Sequence, residues 1–304
     1  MKIHTAEETR ALLPYRRLSE EIRSVALARK SGEARAPERM ALPLASGGTL
    51  LVMPASDGDL AITKLVSVHP ENNVLGLPTI QGEVVVMEAD TGKRLGILEG
   101  SVVTARRTAA LSLLAAEELA SHPEGPLLIV GAGTQGRSHL EAFREGFGVS
   151  KVFIVSRTAE SAESLARHAA RSLGMEARVV ESPGEALGAV SLVVTATTSE
   201  SPVLPNNIED DVFIAAVGAF KPTMAELAPE LVRNSDITVD TLEGAKSEAG
   251  DLIQAEKTGA FGWERAVELE DVLGGRHPSS GRPIVFESVG CALWDLAAAR
   301  TAFK

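Results

Sequence analysis

The spacing of polar and apolar residues changes several times along the first 120 positions. Residues 6–32 are charged and helix-prone, and Pro14 interrupts them, so the sequence predicts two short helices with Gly32 as the stop. Short β-rich segments follow, separated by Gly, Pro, Ser or Asp, and they predict a mainly antiparallel sheet: ERMALPL, TLLVMPA, LAITKLVSV and EVVVMEADTGKRLGILEG. Residues 101–120 are rich in Ala and Leu and predict a closing helix.

From Leu127 the pattern changes to short apolar strands that alternate with helical segments. The predicted strands are LLIV, VFIVS, ARVVE, SLVVTAT, FIAAVGA, DITVDTL and IVFES. Such alternation is typical of an α/β domain with a doubly wound parallel sheet. The final segment, VGCALWDLAAARTAF, predicts a helix that packs back onto the first domain. We therefore predict a doubly wound domain over residues 121–288 and an α+β domain over residues 1–120 plus about 289–304.

Composition narrows the class of protein. The 304 residues are 44% hydrophobic, and a formal net charge of -11 argues against nucleic acid or an anionic membrane as a partner, because both would repel the surface. Cys291 is the only cysteine, so one chain can form no internal disulfide, which fits a cytoplasmic location. The sequence has no run of about 18 consecutive apolar residues, so we expect no membrane span. The six histidines show no paired ligand spacing, so we expect no metal site.

A glycine-rich turn follows the strand LLIV. Gly131, Gly133 and Gly136 form the pattern G-x-G-x-x-G between that strand and a helix that begins near Thr134, inside a βαβ unit of suitable length. Without side chains, the backbone can approach a pyrophosphate, which the N–H groups at the helix start, around Thr134 and Gln135, would bind. We therefore expect a Rossmann domain that binds a dinucleotide. The alternative is a tight packing turn without a ligand.

The next strand, VFIVS, is followed by Arg157 and Thr158 after its last residue, Ser156. An acidic residue here would accept a hydrogen bond from the 2′-hydroxyl of NAD(H) and would repel the 2′-phosphate of NADP(H). None of these three residues carries a negative charge and all three can donate hydrogen bonds, and a guanidinium can pair with the phosphate and stack on adenine. The sequence thus favours NADP(H), with NAD(H) as the alternative. In the other interpretation, Arg157 is a solvated surface arginine.

Two cations lie within apolar patterns of the first domain. On the strand LAITKLVSV, alternation places Lys64 on the same face as Ile62 and Val66. This lysine either extends its ammonium to solvent at a sheet edge or directs it at an anionic substrate. Arg107 lies in the apolar stripe of the helix at residues 101–120, where it is either a surface arginine at the margin of the stripe or part of a site.

Five segments resemble the ornithine cyclodeaminase and mu-crystallin family: MPAS, KLVSVHPENNVLGLPT, TARRTAALSLLAAEELA, IVGAGTQGRSHLEAF and FESVGCALWDLAAA. The resemblance covers nearly the whole chain, and its most specific parts are the stretch from Lys64 to Thr79 and the R-T-A-A at Arg107. It implies a homodimer built through the N-terminal domain and a Rossmann domain that carries a nicotinamide cofactor. Members of the family act on α-amino acids or their cyclic imines.

The resemblance also assigns site residues. The carboxylate-binding cations of the family fall on Arg39, Lys64 and Arg107, of which Lys64 and Arg107 are the expected catalytic residues. Thr79 matches a threonine of the substrate pocket. The cofactor residues carried over from the family are Thr195, Ala196, Thr197, Val217, Gly218, Ser288 and Gly290. Arg106, about 100° around the helix from Arg107, is expected to be dispensable.

Two positions depart from the family. Glu287 stands where members often have lysine, and Phe220, in VGAFKPTMAEL, stands where cyclodeaminases carry an aspartate. Phenylalanine cannot exchange a proton, whereas hydride transfer to an existing C=N bond requires a cofactor and an oriented substrate. The resemblance therefore points to the ketimine reductases of the family.

We accordingly expect an enzyme that uses NADPH to reduce a small cyclic imino acid, Δ1-pyrroline-2-carboxylate or Δ1-piperideine-2-carboxylate, to L-proline or L-pipecolate. The proton for the imine nitrogen would come from water or from Lys64. One alternative is an ornithine cyclodeaminase or another amino-acid dehydrogenase of the family. The other is a non-catalytic NADP-binding protein of the crystallin type.

Overall fold

The computed structural model describes residues 1–277 and 281–304. The described chain divides into two compact units. The first unit contains residues 1–110 and 291–304, and the second unit contains residues 111–290. Across the described ranges, no helix is both long enough and apolar enough to cross a membrane.

The regular elements of the described residues are numbered in chain order. The strands are β1 (Lys2–Ile3), β2 (Met40–Pro43), β3 (Thr49–Ser56), β4 (Leu60–Val68), β5 (Ile80–Glu88), β6 (Arg94–Glu99), β7 (Leu127–Val130), β8 (Lys151–Val155), β9 (Glu176–Val179), β10 (Leu192–Thr195), β11 (Phe213–Ala216), β12 (Asp236–Val239), β13 (Ala266–Glu268) and β14 (Ile284–Glu287). The helices are α1 (Ala6–Leu12), α2 (Tyr15–Ser31), α3 (Gly100–Leu119), α4 (Thr134–Phe147), α5 (Ala159–Leu173), α6 (Gly184–Leu187), α7 (Pro229–Asn234), α8 (Leu242–Glu248), α9 (Gly250–Lys257), α10 (Leu269–Leu273) and α11 (Ala292–Phe303). Short 3₁₀ helices occupy Ala45–Gly47, Pro70–Leu75 and Trp263–Arg265.

The first unit is built on a six-stranded sheet with the order β1-β6-β5-β4-β3-β2. Neighbouring strands are antiparallel except β1 and β6, which are parallel, so the predicted antiparallel sheet is confirmed. Helix α11 contacts α2 and the strands β3, β4 and β5. On β4, Leu60, Ile62, Lys64 and Val66 are buried, while the residues between them are half-buried. The alternation predicted for this strand therefore holds, and it places Lys64 in the core.

Local sequence signals set the helix ends of the first unit. Thr5 and Glu8 form a capping box at the start of α1, in which each side chain accepts a hydrogen bond from the other residue's N–H. Pro14 lies between α1 and α2, where its ring prevents one continuous helix. Gly32 ends α2 in the left-handed conformation, with a φ of 82°. The two predicted helices and their stop are therefore confirmed.

The second unit is built on an eight-stranded sheet with the order β13-β12-β14-β11-β10-β7-β8-β9, and its paired strands are parallel. Strands β7, β10 and β11 are buried along their whole length, as expected for a sheet covered on both faces. The predicted doubly wound sheet is confirmed. In register, the last residues of four adjacent strands are Val130, Thr195, Ala216 and Glu287. The loops that follow these strands therefore begin at one edge of the sheet.

Candidate functional site

The glycine turn after β7 has the geometry of a phosphate-binding turn. Gly131 has a φ of 106°, and a Cβ there would collide with the carbonyl of Ala196. A Cβ on Gly136 would collide with the carbonyl of Gly131. The backbone of α4 therefore packs so closely against the turn that only glycine fits at this position. A Cβ on Gly133 would instead face open space, and no side chain caps α4 at this residue. The first N–H groups of α4, from Thr134 onward, therefore lie beside open space that no side chain fills. A pyrophosphate could occupy this space and accept hydrogen bonds from them.

A cavity of about 740 Å³ lies along this turn, within the volume range of small-molecule and cofactor sites. Seven predicted cofactor residues line it: Gly131, Gly133, Ser156, Arg157, Thr158, Ala196 and Thr197. Its other lining residues are Val130, Ala132, Val155, Ser161, Pro183, Thr198, Ser199 and Val203. This described lining contains no carboxylate, so no acidic side chain is placed there to hold a ribose hydroxyl or to repel a phosphate.

The end of β8 supplies one cation and two hydroxyls to this cavity. Arg157 is exposed. The Ser156 Oγ accepts a long hydrogen bond of 3.4 Å from the N–H of Ala132. The Thr158 hydroxyl donates to the Ser161 Oγ at 2.8 Å and caps α5 by accepting from the Ser161 N–H. The Thr158 hydroxyl is therefore already engaged in capping α5. Arg157 is the residue at this strand end whose positive charge could pair with a phosphate.

The remaining predicted cofactor residues lie outside the cavity lining: Thr134, Gln135, Gly136, Thr195, Val217, Gly218, Ser288 and Gly290. The Thr195 side chain is fully buried, and its hydroxyl donates to the Glu226 carboxylate at 2.9 Å instead of facing the cavity. Val217 and Gly218 are buried at the end of β11. Thr134, Gln135 and Gly136 belong to the start of α4 that the glycine motif predicted, whereas the other five residues were connected with the cofactor through the resemblance.

Asp240, which sequence reasoning missed, organises the turn after β14. Its Oδ2 atom accepts hydrogen bonds from the Ser288 hydroxyl at 3.0 Å and from the N–H of Gly290 at 2.7 Å. Its Oδ1 atom accepts from the N–H of Thr241 at 2.8 Å. Asp240 therefore fixes the conformation of the two residues that were predicted to lie near the nicotinamide.

Glu287 is buried at the end of β14. Burial raises the pKa of Glu287 well above its ordinary value, and the nearby charges of Asp251, Glu226 and Asp240 act in the same direction. Its Oε2 atom has no hydrogen-bond partner in the described structure. Burial beside three other acids therefore favours the neutral, protonated form of this carboxyl group.

In the first unit, Lys64 and Arg107 meet at one buried carboxylate. The Lys64 ammonium donates to the Thr104 Oγ1 at 2.6 Å and to the Asp295 Oδ1 at 3.0 Å. The Arg107 Nε lies 3.5 Å from the same Asp295 oxygen, which makes the contact an ion pair without the geometry of a hydrogen bond. Lys64 is 3% exposed, Arg107 is 6% exposed and Asp295 is fully buried. The interpretations of Lys64 as an edge residue and of Arg107 as a surface residue are therefore wrong.

The electrostatics of this group follow from its burial. Desolvation lowers the pKa of Lys64, the charge of Asp295 opposes this change, and the positive charges of Arg107 and Arg39 add to it. Arg39 is partly buried directly before β2 and is near enough to act on Lys64. Thr79 is partly exposed directly before β5, where its carbonyl accepts a hydrogen bond from the N–H of His69 at 2.8 Å. The structure thus brings together Lys64, Arg107 and the previously unnoticed Asp295.

Arg106 has a different environment from the one expected. It is 8% exposed, its Nε donates to the carbonyl of Leu13, and its guanidinium lies over the Tyr15 ring at 3.6 Å from the centroid. These contacts join α3 to the segment between α1 and α2. A substitution at Arg106 would therefore affect stability, and this residue is unsuitable as a silent control for Arg107.

The described residues hold no cluster of metal ligands. Among residues 1–277 and 281–304, no group of three or more His, Cys, Asp and Glu side chains is arranged to hold a metal ion. The buried carboxylates of Glu226 and Asp240 instead accept hydrogen bonds from backbone and hydroxyl donors.

Comparison with known proteins agrees with the sequence motifs. The sequence profile of the ornithine cyclodeaminase/mu-crystallin family matches residues 2–304. The chain belongs to this family. The predicted resemblance to ornithine cyclodeaminases and mu-crystallins is thereby confirmed.

Individual family members match the chain over almost its full length. The Delta(1)-pyrroline-2-carboxylate/Delta(1)-piperideine-2-carboxylate reductase of Azospirillum brasilense is 40% identical over 302 residues, which cover 99% of this chain and 94% of that protein. The structure of Thermococcus litoralis Delta(1)-pyrroline-2-carboxylate reductase in complex with NADH and L-proline matches with a TM-score of 0.92 and 30% identity, covering 99% of this chain and 96% of that chain. An archaeal alanine dehydrogenase dimer with bound NAD matches with a TM-score of 0.89 and 28% identity, covering 99% and 94%.

Proposed function

We propose that this family member is an imine reductase that converts a small cyclic ketimine carboxylate into the corresponding L-imino acid. The substrates would be Δ1-pyrroline-2-carboxylate and Δ1-piperideine-2-carboxylate, and the products L-proline and L-pipecolate. Reductases of this class among its relatives support the proposal. The observation that carries it is the buried group of Lys64, Arg107 and Asp295, where two positive charges face one negative charge. The excess positive charge favours an anionic ligand such as a substrate carboxylate.

The chemistry of the residues fits this role. Lys64 has three N–H donors, of which two are engaged by Thr104 and Asp295, so one remains to bind the substrate carboxylate or the imine nitrogen. A lowered pKa makes an ammonium group a better proton donor, so we assign the proton for the imine nitrogen to Lys64, with water as the alternative source. Arg107, with Arg39 nearby, would hold the carboxylate, and Thr79 would complete the substrate pocket.

The comparisons support a nicotinamide dinucleotide as cofactor. When bound, the reduced nicotinamide supplies the hydride. The glycine turn and the open start of α4 fit its pyrophosphate, and the cavity along them fits the rest of a dinucleotide. We further propose a preference for NADP(H) over NAD(H), because Arg157 is exposed in a cavity whose described lining has no carboxylate.

The proposed substrate chemistry also depends on Phe220. This residue is 40% exposed and follows β11, at the position where cyclodeaminases resemble this chain but carry an aspartate. Its ring cannot take or give a proton. A deaminase or dehydrogenase acting on an open-chain amino acid would require such a proton exchange.

One assay tests the proposed function against its rivals. The purified protein is mixed with NADPH and each cyclic imine, and nicotinamide absorbance is followed, while ammonia release from L-ornithine is measured in parallel. Imine reduction without ammonia release is the expected result. Ammonia release at a comparable rate would favour a cyclodeaminase, and cofactor binding without any turnover would favour a crystallin-like binding protein.

We also propose that the first unit forms a homodimer and that the second binds the dinucleotide. Exposed apolar side chains in the first unit support the dimer: Met40, Leu42, Val74, Leu75, Leu77 and Ile80. Such side chains are normally covered by a partner when they cluster. Light scattering of the purified protein tests this proposal, since a mass of one chain would contradict it. The cytoplasmic location stays a prediction.

A further inference from the structure

Glu226 connects the ends of two central strands of the second unit. Its side chain is fully buried, in the segment between β11 and α7. The Oε1 atom accepts a hydrogen bond from the N–H of Thr197 at 2.6 Å. The Oε2 atom accepts from the Thr195 hydroxyl at 2.9 Å and from the N–H of Gly218 at 2.8 Å. One carboxylate therefore fixes the chain directly after β10 and directly after β11.

The main chain at Glu226 holds the same region from a second direction. Its carbonyl accepts hydrogen bonds from the N–H of Val203 at 2.8 Å and of Leu204 at 3.4 Å. The adjacent N–H of Ala225 donates to the carbonyl of Ser199 at 3.0 Å. Thr197, Ser199 and Val203 all line the cavity along the glycine turn. One wall of that cavity is therefore held by the segment that contains Glu226.

A second carboxylate and two glycines fix Glu226 itself. The Asp251 Oδ1 accepts hydrogen bonds from the N–H groups of Glu226 at 2.7 Å and of Leu227 at 2.9 Å. A Cβ on Gly218 would collide with the Glu226 carboxyl group and the Thr197 carbonyl. A Cβ on Gly250, at the start of α9, would collide with the carbonyl of Met224. The absence of a side chain at Gly218 leaves room for the carboxylate beside its donors, and Gly250 lets α9 pack closely against the chain just before Glu226.

Burying the Glu226 carboxylate costs desolvation free energy and so does not by itself stabilise the fold. Desolvation raises the pKa of Glu226, while the hydrogen bonds from Thr197, Thr195 and Gly218 oppose that change. An apolar residue could fill the same volume without this desolvation cost, provided that the donors were satisfied elsewhere. A carboxylate, however, can accept from all three donors at once. Its specific contribution is the precise position of the two strand ends.

The strand order indicates which part of a dinucleotide these ends would meet. The pyrophosphate fits at the turn after β7, and the ribose-recognising residues follow β8 on one side of it. Strands β10 and β11 lie on the other side of β7. A dinucleotide that extends across the turn would thus place its adenosine half toward β8 and its nicotinamide half toward β10 and β11.

We propose that Glu226 is a positioning residue for the nicotinamide half of the cofactor, acting through the main chain of Thr197 and Gly218. This inference rests on the proposed function only for the identity of the cofactor. It predicts that disturbing the carboxylate weakens the binding of the nicotinamide half and leaves the adenosine half almost unaffected.

The substitution Glu226→Gln tests the inference with little change of shape. Glutamine offers one acceptor oxygen and one NH₂ group, so its NH₂ must face the N–H of either Thr197 or Gly218. We expect the Kd for NADPH to rise about tenfold or more, and the Kd for 2′,5′-ADP, which is the adenosine half alone, to stay within about twofold. Faster hydrogen exchange confined to residues 197–203 should accompany the loss.

Two further variants complete the experiment. Glu230→Gln makes the same change on the exposed surface of α7 and should behave as wild type. If Glu226→Gln does not fold, Thr195→Val removes one donor, keeps the carboxylate and should shift the NADPH Kd in the same direction by a smaller factor. In either variant, an equal loss of both ligands, or no loss of either, overturns the positioning role.

The outcome for wild-type protein separates this inference from the proposed function. Both ligands are measured without any imine. Wild-type protein that binds NADPH and reduces no imine would overturn the proposed function, while the comparison at Glu226 would still decide the positioning role. Wild-type protein that binds none of NADPH, NADH and 2′,5′-ADP would overturn both.

Discussion

The Nζ atom of Lys64 and the Oδ1 atom of Asp295 lie 3.0 Å apart, although 231 positions separate the two residues along the chain. Strand β4 provides the lysine and the terminal helix α11 provides the aspartate, and these elements pack against each other in the first unit. The same oxygen lies 3.5 Å from the Arg107 Nε. Asp295 therefore holds two cations in place without neutralising both, which leaves the group suited to a substrate carboxylate.

Asp295→Asn should destabilise the protein, because two buried cations would lose their shared counter-charge. Breaking one side of a buried ion pair costs about 3–5 kcal/mol in the free energy of unfolding. Urea unfolding of the variant measures this loss. The matched control is Asp90→Asn, at an exposed turn of the same unit, which should change stability by less than about 0.5 kcal/mol. A variant Asp295→Asn as stable as this control would contradict the role of Asp295.

Arg107→Ala should lower kcat/KM for the cyclic imine by roughly a hundredfold, or about 2.7 kcal/mol of transition-state stabilisation. The reason is that the substrate carboxylate would lose a desolvated partner, whereas the dinucleotide cavity lies in the second unit and keeps its contacts. Steady-state kinetics and NADPH titration measure the two effects separately. Arg107→Lys should restore only part of the activity, because an ammonium cannot reproduce a bidentate guanidinium.

The control for Arg107 must be an arginine without buried contacts. Arg106 stacks on Tyr15 and donates to Leu13, so its loss would lower stability. Arg94→Ala, at the exposed start of β6, serves instead and should retain wild-type kinetics. If Arg107→Ala weakened NADPH and imine equally, the carboxylate-binding role would be wrong.

Sequence patterns predicted much of the fold because the elements have clear periodicity. Alternation along β4 placed Lys64 on the buried face, and the glycine spacing located the turn before α4. Strands β1 and β13 were not predicted, because two or three residues carry too little periodicity to distinguish a strand from a loop.

The residues that the sequence did not reveal are mainly buried acids. Asp240, Glu226 and Asp295 each interrupt or follow an apolar segment, which resembles a solvent-facing position when only local sequence is considered. Each acid accepts a hydrogen bond from a distant donor, which lies 50 positions away for Asp240, 31 for Glu226 and 231 for Asp295. Periodicity cannot show such long-range partners. An acid inside an apolar segment such as ALWDLAAA is the one signal that could have suggested them.

His139 should make the protein sensitive to acid. It is fully buried on α4, its Nδ1 donates to the carbonyl of Gln135, and its Nε2 accepts from the Ser112 hydroxyl when the ring is neutral. Desolvation lowers the pKa of His139 from 6.5 to about 4. The unfolded chain therefore takes up a proton first as the pH falls, so stability that is complete above pH 6.5 is lost progressively toward about pH 4. The loss should be on the order of 3 kcal/mol.

Urea unfolding at about pH 7.5 and about pH 4.5 measures this contribution. His139→Gln cannot titrate, so its stability should differ less between the two pH values than that of wild type. His122→Gln changes an exposed histidine and should keep the wild-type difference. Equal pH dependence of His139→Gln and wild type would show that another group dominates the acid response.

Arg157→Ala should weaken NADPH much more than NADH. Arg157 is the exposed cation at the end of β8, and the Thr158 hydroxyl beside it is engaged in capping α5. Loss of the guanidinium would remove a charge-assisted hydrogen bond to the 2′-phosphate, which NADH does not carry, so we expect the Kd for NADPH to rise roughly tenfold or more and that for NADH to change little. The matched control is Arg171→Ala, which changes an exposed arginine near the end of α5 and should leave both Kd values unchanged.

Raised salt should weaken NADPH binding to wild type more than to Arg157→Ala, because screening acts on the charge pair that only wild type forms. Equal changes of the two Kd values in Arg157→Ala would mean that Arg157 contacts a part common to both dinucleotides, and the proposed preference for NADP(H) would then have no residue to account for it.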